Sequence, residues 1–299
     1  MNKRHMTREK LKNWLWGYGM ILPLMIGLAV FYFYPVGRVI RDSLYDVGAF
    51  NKSTWAGLKN YQNMLSDSAM WKSLINTFCY VLIIVPGTVF FSLVLAALLN
   101  LKMRGRGVFR VIFFIPTVTM SAAIAMVWRW IFNGDFGILN YLVTSLGGTA
   151  RYWLSESSTA LACIALVSVW MGVGYNMIIL LAGIQGIPSV YYEAAELDGA
   201  TKIRQFFTIT VPLVSPTLFF VLTTTVISTL QTFDVIYMMI PPKSTALRYT
   251  QSVVMYFYRN AFEFSKKGYA SAIAVFLFVI IMLLTLLQMR LQKKWVVYD

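Results

Sequence analysis

Six stretches of this chain contain no charged residue, and the charged residues concentrate between them. The uncharged stretches are residues 13–37, 73–101, 111–128, 157–192, 205–233 and 268–289. Each approaches or exceeds the roughly 18 to 20 apolar residues with which a helix crosses the hydrocarbon layer of a membrane. The pattern therefore predicts six membrane spans.

The edges of the apolar runs define the predicted spans. They are residues 15–36, 74–99, 110–131, 158–184, 213–239 and 269–288. A helix pairs its own backbone groups inside lipid, so the predicted fold class is all-α, a polytopic membrane protein with six transmembrane helices. We expect one membrane domain over residues 15–291 and tails at 1–14 and 292–299. Residues 38–72 are expected to contain an interfacial helix and a turn.

Composition indicates that lipid is the solvent for most of the chain. Of its 299 residues, 58% are hydrophobic and 13% are charged, and the mean hydropathy is +0.65. An ordinary soluble domain is about a quarter charged. The chain is therefore expected to be in contact with membrane lipid along most of its length.

The formal net charge of +14 is interpreted as a topological signal, with no nucleic-acid partner expected. Basic residues cluster before the first span, between the second and third spans, and after the last. They are Lys3, Arg4, Arg8, Lys10 and Lys12, then Lys102, Arg104, Arg106 and Arg110, then Arg290, Lys293 and Lys294. Loops rich in Lys and Arg stay in the cytoplasm, so both termini are expected there. An even number of spans agrees with this.

The segment between the fourth and fifth spans, residues 185–212, carries the most informative local signals. Pro188 cannot continue a helix interior, and Ser189 is a candidate N-cap for a new helix. Gly199 is a natural C-terminal stop, and Pro212 is expected to start span five. The segment therefore predicts a short helix beside the membrane, followed by a second amphipathic piece.

The side chains of this short helix fit a docking role. Ala194 and Ala195 are small enough for another surface to approach closely. Glu193, Glu196 and Asp198 offer charge for a basic partner or for holding the loop in place. In a soluble protein the same residues would simply be a surface helix.

Residues 193–212 resemble the cytoplasmic loop signature of binding-protein-dependent ABC importer permeases. The signature reads Glu-Ala-Ala, three residues, Gly, nine residues, Ile-x-x-Pro. Its positions here are Glu193, Ala194, Ala195, Gly199, Ile209 and Pro212, with every spacing intact. The resemblance covers nearly the whole chain. Within the family, the chain is similar to the carbohydrate type, which includes the maltose and glycerol-phosphate permeases. Supporting stretches include residues 21–23, 128–132 and 268–272, whereas residues 239–242 depart from the usual Thr-Gly-Gly-Pro turn.

The resemblance implies a type I ABC importer permease fold in a bacterial inner membrane. Two ATP-binding subunits would dock on the cytoplasmic loop and drive alternating access, with ATP and Mg bound by those subunits and no cofactor bound by this chain. A second homologous permease, usually a different chain, would complete the pathway, and an extracytoplasmic binding protein would deliver the sugar. The coupling residues implied are Glu193, Ala194, Ala195, Asp198, Gly199, Ile209 and Pro212.

Span five carries a polar face at membrane depth. Thr225, Ser228, Thr229 and Thr232 follow the spacing i, i+3, i+4, i+7, so their hydroxyls share one helical face. Hydroxyls donate and accept hydrogen bonds, as sugar hydroxyls do. The alternative is that they bond to backbone carbonyls or to a neighbouring helix.

Alignment with maltose-type relatives, starting from the loop motif, implies that this face lines the sugar site. The same alignment implies Met171, Gly172 and Tyr175 of span four, where the glycine permits close approach and the tyrosine can stack on a sugar. Gln231 and Asp234 lie on an adjacent face of span five.

Asp234 has two open interpretations, a hydrogen-bond acceptor for the solute or a partner of a nearby arginine such as Arg129. Its position near the outer surface favours the ion pair. Cationic residues that would hold a phosphate group are not evident in span five, which favours a neutral sugar.

Several signals of catalysis are missing from the sequence. It contains no G-x-x-x-x-G-K-[ST] loop for ATP phosphates. His5 is the single histidine, and Cys79 and Cys163 lie in apolar runs, so no metal site or disulfide is expected. The chain is therefore predicted to be a non-catalytic transport subunit. The alternatives are an ion-coupled secondary transporter with Asp234 as its ion site, and a lipid-modifying membrane enzyme using Glu193 and Asp198.

Overall fold

Four helices are long and apolar enough to cross a membrane without a sharp bend. In the computed structural model, which describes residues 8–48, 53–101 and 103–297, they are Lys12–Asp42, Ser68–Asn100, Ala160–Gln185 and Lys267–Lys294. They contain or closely match the predicted spans one, two, four and six. Their apolar side chains are compatible with lipid, and their backbone groups bond within each helix.

Short helices and one hairpin connect the long ones. In chain order the described α-helices are α1 Arg8–Leu28, α2 Tyr34–Asp42, α3 Lys59–Ser66, α4 Ser68–Asn100, α5 Arg106–Val118, α6 Ser121–Ile131, α7 Ile138–Ser145, α8 Ala160–Gln185, α9 Ser189–Leu197, α10 Lys202–Gln205, α11 Val211–Leu213, α12 Ser215–Leu230, α13 Asp234–Met239, α14 Leu247–Thr250, α15 Val253–Tyr258 and α16 Lys267–Leu291. The strands are β1 Tyr45–Val47 and β2 Ser53–Trp55. Turns of π-helix cover Ala29–Phe33, Phe206–Thr210 and Arg259–Glu263, and a 3₁₀ turn covers Gln292–Lys294.

Span three is broken, and the expectation of one helix over residues 110–131 is wrong. Helices α5 and α6 meet at an angle of 98°. The chain is extended at Thr119, with φ −82° and ψ 140°. Pro116 removes a backbone donor from the last turn of α5, which weakens the helix where it ends.

Span five is also broken, at both ends. The helix Lys202–Leu213 is bent by 70° relative to α12, with Val214 at the bend. Span five therefore begins at Ser215, with Pro216 in its first turn, and Pro212 belongs to the preceding helix; the predicted start at Pro212 is wrong. At the other end α12 stops at Leu230, and residues 231–233 separate it from α13. Counting each bent pair as one candidate span, α5 with α6 and the helix Lys202–Leu213 with α12, gives up to six candidates in the described chain by length and composition.

The chain divides into two compact units, and the first combines Met1–Met64 with Asn260–Val275. It contains the hairpin, in which β1 pairs antiparallel with β2 and Tyr45 lies opposite Trp55. The expectation of a helix in residues 38–72 is met by α3, whereas the hairpin was not expected from the sequence. Gly268 is required next to the hairpin, because a Cβ atom there would lie 2.1 Å from the carbonyl oxygen of Tyr45.

The second unit combines Leu65–Arg259 with Phe276–Asp299, and the packing of α4 against α8 is central to it. One apolar cluster, which includes Tyr80, Ile164 and Ile236, lies towards one end of these helices. Another, which includes Leu180 and Val214, lies towards the other end.

Glycines on α8 allow the close helix packing of the second unit. A Cβ atom on Gly174 would lie 2.0 Å from the carbonyl oxygen of Phe113, and one on Gly183 would lie 2.6 Å from the hydroxyl of Thr217. In lipid, helices associate through such close packing, because lipid tails are as apolar as the side chains they surround. The glycines of α8 therefore set where α5 and α12 lie.

Candidate functional site: a coupling loop and a polar cavity

The short helix predicted between spans four and five is α9, and its ends follow from its sequence. It begins at Ser189, and Pro188 occupies the N-cap position without a side-chain hydrogen bond, so the expectation that Ser189 caps the helix is wrong. It ends before Gly199, which has φ +74°. The amides of Gly199 and Ala200 donate to the carbonyls of Glu196 and Ala195 at 3.0 and 2.9 Å. This is the Schellman arrangement that favours glycine at the left-handed position.

Helix α9 has an anchored face and an exposed apolar face. On the anchored face the hydroxyls of Tyr192 and Thr210 lie 2.9 Å apart. On the other face are Val190, Ala194 and Leu197, at i, i+4 and i+7, and all three are exposed. Leu197 is 92% exposed. An apolar stripe that projects from a loop in this way is typical of a protein docking surface.

An ion pair connects α9 to the segment that follows it. The ammonium of Lys202 donates to the carboxylate of Glu196. The hydrogen bond from Lys202, aided by its charge, lowers the pKa of Glu196. Of the other predicted loop residues, Glu193 and Asp198 are exposed, and Ile209 and Pro212 are partly buried in the helix Lys202–Leu213.

A cavity of about 350 Å³ lies among spans two, three, four and five. Eight of the nine residues predicted for the solute pathway line it: Met171, Gly172, Thr225, Ser228, Thr229, Gln231, Thr232 and Asp234. Tyr175, the ninth, is not among the lining residues and is 52% exposed.

Three of the four predicted hydroxyls of span five donate to backbone carbonyls, as the alternative interpretation held. Thr225 donates to Val221 at 2.7 Å, and Thr232 donates to Thr229 at 2.8 Å. Ser228 likewise donates to the carbonyl of Thr225 at 3.0 Å. Each hydroxyl oxygen keeps free lone pairs, so this wall of the cavity presents mainly hydrogen-bond acceptors.

The break after α12 places two further polar groups at the cavity. Gln231 donates its amide to the carbonyl of Ile227 at 3.2 Å, and its side-chain oxygen is a further acceptor. Asp234 is the first residue of α13, is exposed, and lines the cavity. No ion pair joins Asp234 to Arg129 in the described part of the chain, and the expected pairing is wrong for this conformation.

The structure adds cavity residues that sequence reasoning missed. They are Thr88 of α4, Thr117 and Ser121 at the broken span three, and Ser168 and Asn176 of α8. Thr117 donates to the carbonyl of Met171 at 3.0 Å, which fixes the break in span three against α8. A polar residue inside an uncharged apolar stretch was the available signal, because polar groups at membrane depth usually face a cavity or another helix.

Candidate metal ligands do not cluster anywhere in residues 8–48, 53–101 or 103–297. No group of three or more His, Cys, Asp or Glu residues lies close enough to hold a metal ion within those ranges. The chemistry available at the cavity is therefore hydrogen bonding by hydroxyls, amides and one carboxylate.

Broken helices around a polar cavity, together with a projecting amphipathic loop, are features of membrane transport proteins. The chain belongs to the family of binding-protein-dependent transport system inner membrane components, which it matches over residues 68–297. It is accordingly a multi-pass membrane protein and a permease component of an ABC transporter. Family membership decides against the secondary transporter and the lipid-modifying enzyme.

Similar proteins match more than nine tenths of this chain. The sulfoquinovosyl glycerol transport system permease of Agrobacterium fabrum is 34% identical over 91% of this chain and 88% of its own. The trehalose/maltose transport system permease of Thermococcus litoralis is 31% identical over 98% and 99%. A solved bacterial ABC transporter involved in the import of the acidic polysaccharide alginate matches 96% of this chain and 98% of its own, with a TM-score of 0.84 at 21% identity. That structural match shows that the fold is shared.

Proposed function

We propose that this chain is the permease subunit of an ATP-driven importer of a sugar or oligosaccharide, and that it forms half of the translocation pathway by alternating access. The observation that carries the proposal is the pairing of a projecting coupling loop with a polar cavity between broken spans. Both belong to the second compact unit of the chain. Motion of the loop can therefore reach the cavity through the helices that this unit packs together.

The exposed stripe of α9 is the proposed docking surface for an ATP-binding subunit. Val190, Ala194 and Leu197 would insert into a groove of that subunit, while Tyr192 holds α9 to the helix Lys202–Leu213 through Thr210. That helix leads directly into α12, which lines the cavity. Closure of the ATP-binding subunits would thus pull on span five.

The cavity favours a neutral polyhydroxyl solute. Its wall on span five presents mainly acceptors, and the hydroxyls of a sugar supply the matching donors. The carboxylate of Asp234 accepts hydrogen bonds from hydroxyls and repels phosphate groups. The trehalose/maltose permease described above is named for neutral sugars, which supports the same solute class.

The remaining partners follow from the family. A second homologous permease subunit would form the other half of the pathway, and two ATP-binding subunits would carry ATP and Mg. An extracytoplasmic binding protein would deliver the solute, as in the solved alginate transporter, which was captured with its periplasmic protein. The basic clusters at the span ends support a topology with both termini and the coupling loop in the cytoplasm.

Uptake by the reconstituted complex in proteoliposomes tests the function. A panel of mono-, di- and oligosaccharides, polyols and glycerol phosphates should show uptake of neutral sugars that requires ATP. Uptake driven by an ion gradient without ATP would contradict the proposal, and so would a strict preference for glycerol phosphates.

Docking on α9 is tested with a matched pair of exposed leucines. Leu197→Asp should abolish co-purification of the ATP-binding subunit, because it places a charge in the apolar stripe. Leu146→Asp changes a leucine that is 89% exposed in a different loop, and it should leave co-purification unchanged. Equal co-purification of both variants would remove α9 as the docking surface.

A further inference from the structure

A second cavity, of about 460 Å³, lies beside the coupling loop. Its walls come from the end of α4 and from the helix Lys202–Leu213, with single residues from α8 and α9. It shares no lining residue with the polar cavity described above. Most of its surface is apolar, supplied by residues such as Val94, Leu98, Leu101, Ile203 and Phe207.

Three polar side chains of this second cavity, those of Gln205, Tyr192 and Thr210, already have partners within the protein. Gln205 donates its side-chain amide to the carbonyl of Ala200 at 3.1 Å. The hydroxyls of Tyr192 and Thr210 bond to each other. A solute that binds through hydrogen bonds would gain little here, whereas an apolar chain would cover exposed hydrocarbon.

The cavity continues the lipid-facing surface of span two. Phe90, Val94 and Leu98 follow the spacing i, i+4, i+8, so they share one face of α4, and Leu101 directly follows the end of that helix. Phe90, Leu98 and Leu101 on this face are exposed. The stripe runs along a membrane-spanning helix into the cavity, so acyl chains that cover the helix can enter the cavity without crossing water.

Basic residues occur at the end of this stripe. Lys202 lines the cavity, and the exposed Arg204 follows two residues later. Arg104 and Arg106 follow the end of α4 in sequence. Basic side chains at the level where spans leave the hydrocarbon attract anionic lipid headgroups.

We propose that this cavity binds an anionic phospholipid from the leaflet on the coupling-loop side of the membrane. One acyl chain occupies the apolar cavity, and the headgroup phosphate contacts Arg204 and the ammonium of Lys202. The assignment to the inner leaflet rests on the proposed orientation of the loop. The bound lipid contacts the helix Lys202–Leu213, so membrane composition acts on the segment that transmits force from the ATP-binding subunits to span five.

Native mass spectrometry of the purified chain tests the site, using vesicles of phosphatidylcholine with phosphatidylglycerol as the lipid source. Ala97→Trp fills the cavity and should remove one retained phospholipid per chain. Leu82→Trp lies on the same helix outside the cavity and should leave retention unchanged, since Leu82 is 73% exposed. Arg204→Gln should retain a lipid and lose the preference for phosphatidylglycerol.

Unchanged lipid retention in Ala97→Trp overturns the proposal. Release of the lipid when ATP-binding subunits are added also overturns it, because the cavity would then be part of a protein interface. Thermal unfolding of each variant checks folding, and Ala97→Phe replaces Ala97→Trp if the latter does not fold. Lipid retention needs no transport, so sugar uptake measured separately distinguishes failure of this site from failure of the proposed function.

Discussion

Ser252 donates its hydroxyl to the backbone carbonyl of Thr232 at 2.6 Å. Thr232 lies in the break of span five and lines the polar cavity. Ser252 is fully buried and is the N-cap of α15, where its hydroxyl accepts from the amide of Met255 at 3.1 Å. Phe233 strengthens the same junction, because its ring lies 5.0 Å from that of Tyr258 in α15. The segment that contains α14 and α15 therefore holds the broken end of span five in place.

Hydrogen bonds from α4 hold the segment of α14 and α15 in turn. Tyr80 donates to the carbonyl of Thr250 at 2.8 Å, and Asn76 donates to the carbonyl of Gln251 at 3.1 Å. Movement of this segment relative to α4 would be transmitted to Thr232 and the cavity rim.

Ser252→Ala should weaken solute recognition. The substitution removes the hydrogen-bond partner of the Thr232 carbonyl, and a hydrogen bond of this kind contributes about 0.5–1.5 kcal/mol. We expect the solute concentration for half-maximal uptake to rise about tenfold, which corresponds to about 1.4 kcal/mol. Ser252→Thr keeps the hydroxyl and should restore uptake.

Thr224→Ala is the control for Ser252→Ala, because the Thr224 hydroxyl bonds within its own helix, to the carbonyl of Phe220 at 2.9 Å. An equal effect of Ser252→Ala and Thr224→Ala would contradict the role of Ser252.

Gly199→Val should abolish transport while the chain still inserts into the membrane. The φ of +74° costs a residue with a branched side chain about 1–2 kcal/mol or more, and relief of that strain would disrupt the end of α9. A Cβ atom at this position meets nothing within 4 Å, so the cost is conformational. Gly199→Asn should retain uptake, because asparagine tolerates this conformation. Gly186→Ala is the control, because Gly186 has a φ of −75°, which residues other than glycine adopt without strain. Wild-type uptake in Gly199→Val would refute the prediction.

Asp234→Asn and Arg129→Gln distinguish the two interpretations of Asp234. The carboxylate lines the cavity, and the described ion pairs do not include it. We therefore expect Asp234→Asn to reduce uptake of a neutral sugar at least several-fold and Arg129→Gln to have a small effect. Similar losses in the two single variants, with no further loss in the double variant, would support the ion pair instead. Uptake kinetics of all three variants provide the measurement.

Gly174→Ala should destabilise the second unit. Its Cβ atom would lie 2.0 Å from the carbonyl oxygen of Phe113, and α5 must shift to make room. Overpacking of this kind costs about 1–3 kcal/mol. Thermal unfolding in detergent should show a lower midpoint. Gly107→Ala, where a Cβ atom meets nothing within 4 Å, should leave the midpoint unchanged or raise it. Equal midpoints for the two variants would show that α5 and α8 adjust without cost.

The Glu196 carboxyl should titrate below the range of an ordinary glutamate. Lys202 lowers its pKa in the folded protein, so the ion pair contributes to loop stability above the unfolded-state pKa. That contribution is lost as the pH falls through the lowered folded-state value. Carboxyl chemical shifts followed by NMR against pH check the position of the midpoint. Lys202→Gln should move the midpoint back up, and an unchanged midpoint would show that the pair does not form.

The helical spans and the coupling motif were predictable from local sequence. Uncharged runs such as residues 73–101 exceed the length needed to cross hydrocarbon, and few other structures suit such runs. The end of α9 at Gly199 was predictable for a similar reason, because glycine adopts positive φ without steric cost. The threonine and serine spacing in span five likewise identified one wall of the cavity.

The bends at Val214 and after Val118 were not predictable from the apolar runs. Hydropathy is averaged over a span and carries no information about changes in the direction of the helix axis. The prolines near both breaks are equally compatible with a kinked continuous helix. Thr88 and Thr117 were missed because a single hydroxyl in an apolar run looks the same whether it faces a cavity, a neighbouring helix or its own backbone.

The sequence by itself determined that this chain lies in a membrane, where its helices run, and which loop resembles a coupling element, because these properties depend on residues close together in the chain. Tertiary structure decided the angles of the broken spans and the closure of the polar cavity by residues from four spans. It also decided the hydrogen bond from Ser252 to Thr232 and the apolar cavity beside the loop. Each of these depends on contacts between residues far apart in sequence, which form only when the helices pack together.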